Sequence, residues 1–164
     1  MERILVSACL MGRKVRYDGG AKTSADAHLS AWREEGRLVV FCPEVEGGLP
    51  TPRPAAEIEG GVGGEAVLAG AARVLTTEGG DVTAQFLAGA QAALAFAQRF
   101  GVRLAVLKEG SPSCGSLSIY DGTFHGRRTP GHGVTAALFA LHDIRVFSEE
   151  HIPEAADYLR TLET

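Results

Sequence analysis

Short apolar runs recur along the chain at Ile4–Val6, Leu38–Phe41 and Leu104–Leu107, with a fourth, broken by Arg145, at Ile144–Phe147. The first is contiguous rather than alternating, the pattern of a strand buried on both faces. The second is β-prone throughout and stops at Pro43. With their flanks these runs predict strands at Arg3–Ala8, Arg37–Cys42, Arg103–Leu107 and Ile144–Phe147. Helical spacing falls between and after them. Ser24 is expected to cap a helix through about Glu35, with Leu29 and Trp32 on one face and Gly36 as its stop. The strongest helix is predicted from Asp81 to Phe100, where Val82, Phe86, Ala90, Ala93, Ala97 and Phe100 keep a three-to-four spacing. Gly133 opens a further helix in GVTAALFALHD, and Pro153 suits the first turn of a last one reaching Leu162.

The connecting segments are polar and rich in turn residues. Met11–Gly20 reads as a loop leaving the sheet just after Cys9. Three prolines and two glycines predict an irregular loop from Pro43 to Arg53. Ala55–Ile58 and Arg73–Thr77 are expected as short antiparallel pieces around the glycine-rich Gly60–Gly64. Leu117–Tyr120, Asp121-Gly122 and Thr123–His125 predict a small hairpin or bend, Asp-Gly being a turn signal. The alternation of strands and helices predicts one α/β domain over residues 1–164: a three-layer, Rossmann-like arrangement around a mostly parallel sheet.

Composition narrows the partners. At 164 residues, with 45% hydrophobic and 22% charged residues, the chain has the length and make-up of an ordinary globular domain. A net charge of -4 provides no broad basic field for a phosphate backbone, so double-stranded nucleic acid is not an expected partner. The N-terminus reaches a strand-like run at once, and no run of about 18 apolar residues occurs, so the expected location is cytoplasmic, away from membranes.

The chemistry concentrates on three cysteines. Cys9 ends RILVSAC, Cys42 ends RLVVFC, and Cys114 lies in KEGSPSCGS beyond the third strand. Parallel strands would bring their carboxyl ends to one sheet edge, where open α/β sheets bind ligands. An odd number of widely spaced cysteines does not describe a disulfide framework. A single free cysteine is ordinarily a small core hydrophobe, but three beside glycine, proline or serine at predicted strand ends point to chemistry. Zinc ordinarily takes closer pairs, and a nucleophilic thiol would leave two cysteines unexplained. An iron-sulfur cluster would use all three and leave one iron open.

VSACLMGRKVRYDGG, FCPEVEGGLPTPRPAAEI, LKEGSPSCGS and GHGVTAALF, in this order and spacing, resemble the thiouracil desulfurase family over about residues 3–147. The resemblance implies a 4Fe-4S cluster on Cys9, Cys42 and Cys114, with the open iron taking the sulfur of a thiolated base such as 4-thiouracil. It implies replacement of C=S by C=O with release of sulfide and no net electron transfer. It carries the family's catalytic pair onto Glu44 and Ser111. Asp18, Arg53, Ser113 and His132 are candidate substrate contacts, although an aspartate before Gly-Gly usually closes its own turn and serines around a proline usually make turn hydrogen bonds. The substrate is expected to be a small thiolated base, nucleoside or nucleotide. The alternative is a non-enzymatic cluster or metal protein that senses oxygen or carries sulfur.

Overall fold

The computed structural model describes residues 1–164. Strand β1 (Ile4–Ser7) runs into a single 3-10 turn, Ala8–Met11, so Cys9 lies just past the strand. Helix α1 (Ala27–Glu34) is shorter than expected because Asp26, not Ser24, caps it: Asp26 Oδ1 accepts the His28 N–H at 2.8 Å. Strand β2 (Leu38–Phe41) leads directly into α2 (Pro43–Glu46), a helical turn where an irregular loop was expected. Pro43 stands at its start, where a missing N–H breaks no intrahelical bond. Strands β3 (Ala56–Ile58) and β4 (Val74–Thr76) pair antiparallel, and the glycine-rich stretch after β3 makes a 3-10 turn at Glu59–Gly61 before α3 (Gly64–Leu68).

Helix α4 (Thr83–Arg99) buries Phe86, Gly89, Ala90, Ala93, Leu94 and Ala97 and leads to β5 (Leu104–Leu107). The hairpin that follows joins β6 (Ser118–Tyr120) to β7 (Arg128–Pro130), not to Thr123–His125. The reason is a tether: the N–H groups of Gly122 and Phe124 go to Glu57 Oε1 on β3, at 2.9 and 3.2 Å. Pairing with β6 therefore waits until Arg128. Helix α5 (Val134–Leu141), strand β8 (Arg145–Ser148) and helix α6 (Ile152–Leu162) complete the chain.

The central sheet is parallel throughout, in the order β2-β1-β5-β8. All four residues of β1 and of β5 are buried, which explains their unbroken apolar runs. Leu5, Val39, Phe41, Ala105 and Leu107 pack with Phe86, Ala90, Ala93 and Phe139 of α4 and α5 on one face. Ile4, Val6, Leu104 and Val106 pack with Leu29, Trp32, Ile152 and Leu159 of α1 and α6 on the other. The chain winds outward from β1 to β2, then outward the other way from β5 to β8, so the winding reverses between β1 and β5. A crevice at the carboxyl ends of two such strands is the usual ligand site of an open α/β sheet. No helix is long and apolar enough to cross a membrane.

Helix α2 is seated on α4 through two glycines. A Cβ at Gly89 would overlap the Pro43 carbonyl oxygen, and one at Gly47 would overlap that of Gln85. Gly89→Ala is therefore expected to push α2 off α4 and destabilise the fold by about 1–3 kcal/mol, the usual range for overpacking. Urea denaturation checks this; an unchanged midpoint would mean that α2 shifts without resistance.

Candidate active site

The carboxyl ends of β1, β2 and β5 open onto a cavity of about 490 Å³, and Cys9, Cys42 and Cys114 all line it. Cys9 reaches it from the 3-10 turn after β1, and Cys42 from the junction of β2 and α2. Cys114 comes from the loop between β5 and β6, beyond the strand tip. All three are free thiols; Cys9 and Cys114 are buried and Cys42 partly so. Burial, followed by the nearby Cys42, pushes the Cys9 thiol up to about 11. Burial also raises Cys42, and it raises Cys114 with further contributions from Cys42 and Glu44. Without a metal these are neutral thiols, so metal binding must displace their protons.

No three His, Cys, Asp or Glu side chains are grouped closely enough to hold one metal ion. The thiols border a shared volume instead of meeting around one ion-sized point. A soft all-thiol donor set spread around a cavity fits a multi-iron cluster better than one closed four-coordinate ion. Cations share this wall: Arg16 and Lys108 both favour the thiolate form of Cys9. Lys108 is fixed by Glu149 at 3.0 Å, and its N–H donates to the buried Ser7 hydroxyl at 2.9 Å.

Glu44, on α2, presents its carboxylate to the same cavity with both oxygens engaged. Ser111 Oγ donates to Glu44 Oε2 at 3.1 Å. The same Oγ accepts the N–H groups of Ser113 and Cys114, at 3.0 and 3.1 Å. Those two bonds occupy the oxygen's lone pairs and direct its proton at the carboxylate. Arg53 donates from Nε and Nη2 to Glu44 Oε1, at 3.3 and 3.1 Å. A carboxylate, a hydroxyl and three thiols thus share one enclosure.

Residues 4–151 match the 2-thiouracil desulfurase family model. The chain belongs to the 2-thiouracil desulfurase family. Among relatives of this chain is the uncharacterized protein YbbK of Bacillus subtilis (strain 168), 46% identical over 149 residues, covering 91% of this chain and 97% of YbbK. Among solved structures, a 4Fe-4S-dependent thiouracil desulfidase, TudS, aligns with a TM-score of 0.89 at 50% identity, covering 98% of this chain and 99% of that one.

Three of the expected substrate contacts of this desulfurase-family chain lie away from the cavity. Ser113 is 1% exposed and bonds to the Thr135 hydroxyl on α5 at 2.8 Å, behind the cysteine loop. His132 pairs with Glu65 at 2.6 Å and lines a separate depression with Ser116 and Tyr158. Asp18 closes its own turn, accepting the Gly20 N–H at 2.8 Å, and pairs with Arg16. Its two neighbours, Arg16 and Tyr17, are the ones that reach the cavity. Sequence reasoning missed Lys22, Tyr120 and Arg128, which also line it. Lys22 is carried there because its N–H bonds to the Cys9 carbonyl at 3.0 Å, folding residues 11–24 back over the cysteine turn. No local pattern announces that return.

Glu109 of the same motif is 4% exposed and organises the cysteine loop. Its Oε1 accepts the N–H groups of Gly110, Leu117 and Ser118, and its Oε2 accepts the Ser116 hydroxyl. Glu109→Ala orphans several of these donors, and at about 1–3 kcal/mol for each buried group left unpaired it should destabilise by about 3 kcal/mol or more. Glu109→Gln should lose far less, because its amide carbonyl can replace Oε1. Thermal denaturation of the two variants separates these outcomes; equal losses would contradict the role given to Oε1.

Proposed function

We propose that this chain is an iron-sulfur-dependent desulfidase acting on a thiolated base of the 4-thiouracil type, with water as the oxygen source and sulfide as the product. The observation that carries this reading is the shared cavity: three thiols and a carboxylate held at both oxygens. Family membership and the likeness to TudS support the same chemistry. Cys9, Cys42 and Cys114 are the residues that would hold the cluster. When bound, a 4Fe-4S group with three protein ligands supplies one open iron, a Lewis acid suited to a soft sulfur.

Glu44 takes a proton from water as the water oxygen adds to the thiocarbonyl carbon. The C–O bond forms, the C–S bond breaks with its electron pair on sulfur, and both protons of the water end on the departing sulfide. A thiocarbonyl and water give a carbonyl and hydrogen sulfide, so no oxidant or reductant is consumed. A positioned general base of this kind is typically worth about 10²- to 10⁴-fold. Ser111 orients Glu44 through its O–H and can return a proton along the same bond. We place the activity in one domain, in the cytoplasm, where thiols stay reduced. A small thiolated molecule is its partner, with neither duplex nucleic acid nor a membrane. A sensor or sulfur carrier would have no use for a carboxylate locked against the thiol cavity.

Anaerobically reconstituted protein incubated with 4-thiouracil should release sulfide over multiple turnovers. The proposal fails if protein shown to carry its iron releases none from 4-thiouracil, its nucleoside or its nucleotide.

A further inference from the structure

We infer that Arg53 is a positioning residue, one that aims Glu44 and makes no contact with substrate; the inference rests on the reading of Glu44 as the base. A guanidinium has five N–H donors and no acceptor. In this structure all five have partners: Nε with Glu44 Oε1, Nη1 with the Pro50 carbonyl and the Thr51 hydroxyl, and Nη2 with Glu44 Oε1 and the Val15 carbonyl. The distances run from 3.0 to 3.3 Å, and the side chain is 5% exposed. No donor is left to offer a substrate, although Arg53 borders the cavity where sequence reasoning had placed it as a contact.

The partners reveal what the guanidinium does. Val15 lies on the loop that follows Cys9, and the Arg53 N–H itself bonds to the Tyr17 carbonyl on that loop at 2.6 Å. Pro50 and Thr51 belong to the loop that follows α2. Arg53 is therefore anchored to two loops while holding one oxygen of Glu44, and Ser111 holds the other. The carboxylate is held by two groups on two separate segments, and one of them, Arg53, is itself tied to a third, the loop after Cys9. A planar fork is needed for this; lysine offers one compact charge and three donors and cannot span the same acceptors. Misplacing a reacting group by about 1 Å can lower a rate by roughly 10²-fold. Positioning alone thus gives Arg53 a large effect on turnover.

The test compares Arg53→Lys and Arg53→Ala with Glu44→Gln, all reconstituted anaerobically and assayed with 4-thiouracil. Both Arg53 variants should match the wild type in iron content and visible absorption. kcat should fall about 10-fold in Arg53→Lys and about 10²-fold in Arg53→Ala, with KM within about twofold. Millimolar guanidinium should restore part of the Arg53→Ala rate, and Arg53→Lys combined with Glu44→Gln should be no slower than Glu44→Gln alone. A higher KM at unchanged kcat would put Arg53 on the substrate and overturn the inference. Loss of iron in both Arg53 variants would make it a clasp for the cluster loops, which also overturns it. A dead Glu44→Gln beside a fully active Arg53→Ala sinks this inference alone. Wild-type turnover in Glu44→Gln removes the base and, with it, the need to aim one.

Discussion

Cys114→Ser, reconstituted under nitrogen, should release no sulfide from 4-thiouracil above a protein-free control. The thiol it removes is 5% exposed, on a loop whose shape is fixed by the bond from its own N–H to Ser111 Oγ. A serine hydroxyl is a harder ligand and gives up its proton far less readily than a thiol, so it fails as a substitute for a soft thiolate donor. Iron and acid-labile sulfide should both fall, together with the visible absorption of the cluster. Cys9→Ser and Cys42→Ser should show the same loss, since each supplies one edge of the same cavity. Full iron loading in any one variant would strike that cysteine from the ligand set. The wild type, exposed to air, should lose colour and activity together.

Glu44→Gln has the opposite signature: iron is retained while turnover falls by about 10²- to 10⁴-fold, the usual worth of a positioned base. The amide fills the space of the carboxylate and its carbonyl oxygen can still accept from Arg53, with the bond from Ser111 lost. The lost group is the one proposed to take the proton from water. Iron analysis and single-turnover sulfide release on the same sample separate this from a cluster defect. Turnover within a few-fold of wild type would exclude Glu44 as the base.

The sheet was largely legible because its two middle strands are buried on both faces and so carry unbroken apolar runs. The three-layer arrangement followed from their alternation with helices. Local rules misled where tertiary contacts intervene. Prolines read as breakers around residue 43, yet Pro43 begins α2, seated against Gly89 of α4. The Asp121-Gly122 signal marked a turn, but Glu57 on β3 captures its backbone and delays the return strand. At the site, the shared cavity of the three thiols, Glu44 and Ser111 follows from strand ends and from the four-block resemblance. Ser113 and His132 stand as near to the cysteine motif or the α5 start as a sequence can show. Only the packing of Thr135 and Glu65 tells that they face elsewhere. Arg53 lies at the cavity wall, but the occupation of all five of its donors cannot be seen in a string of letters.

The three thiols come from the turn after β1, the end of β2 and the loop beyond β5, so only the assembled sheet presents them together. Whatever binds all three favours the folded state by mass action and leaves the unfolded chain without that support. With the proposed iron-sulfur group as that ligand, iron supply would govern the lifetime of this protein as well as its activity. Chains made during iron shortage would unfold more often, meet proteases more often, and disappear first.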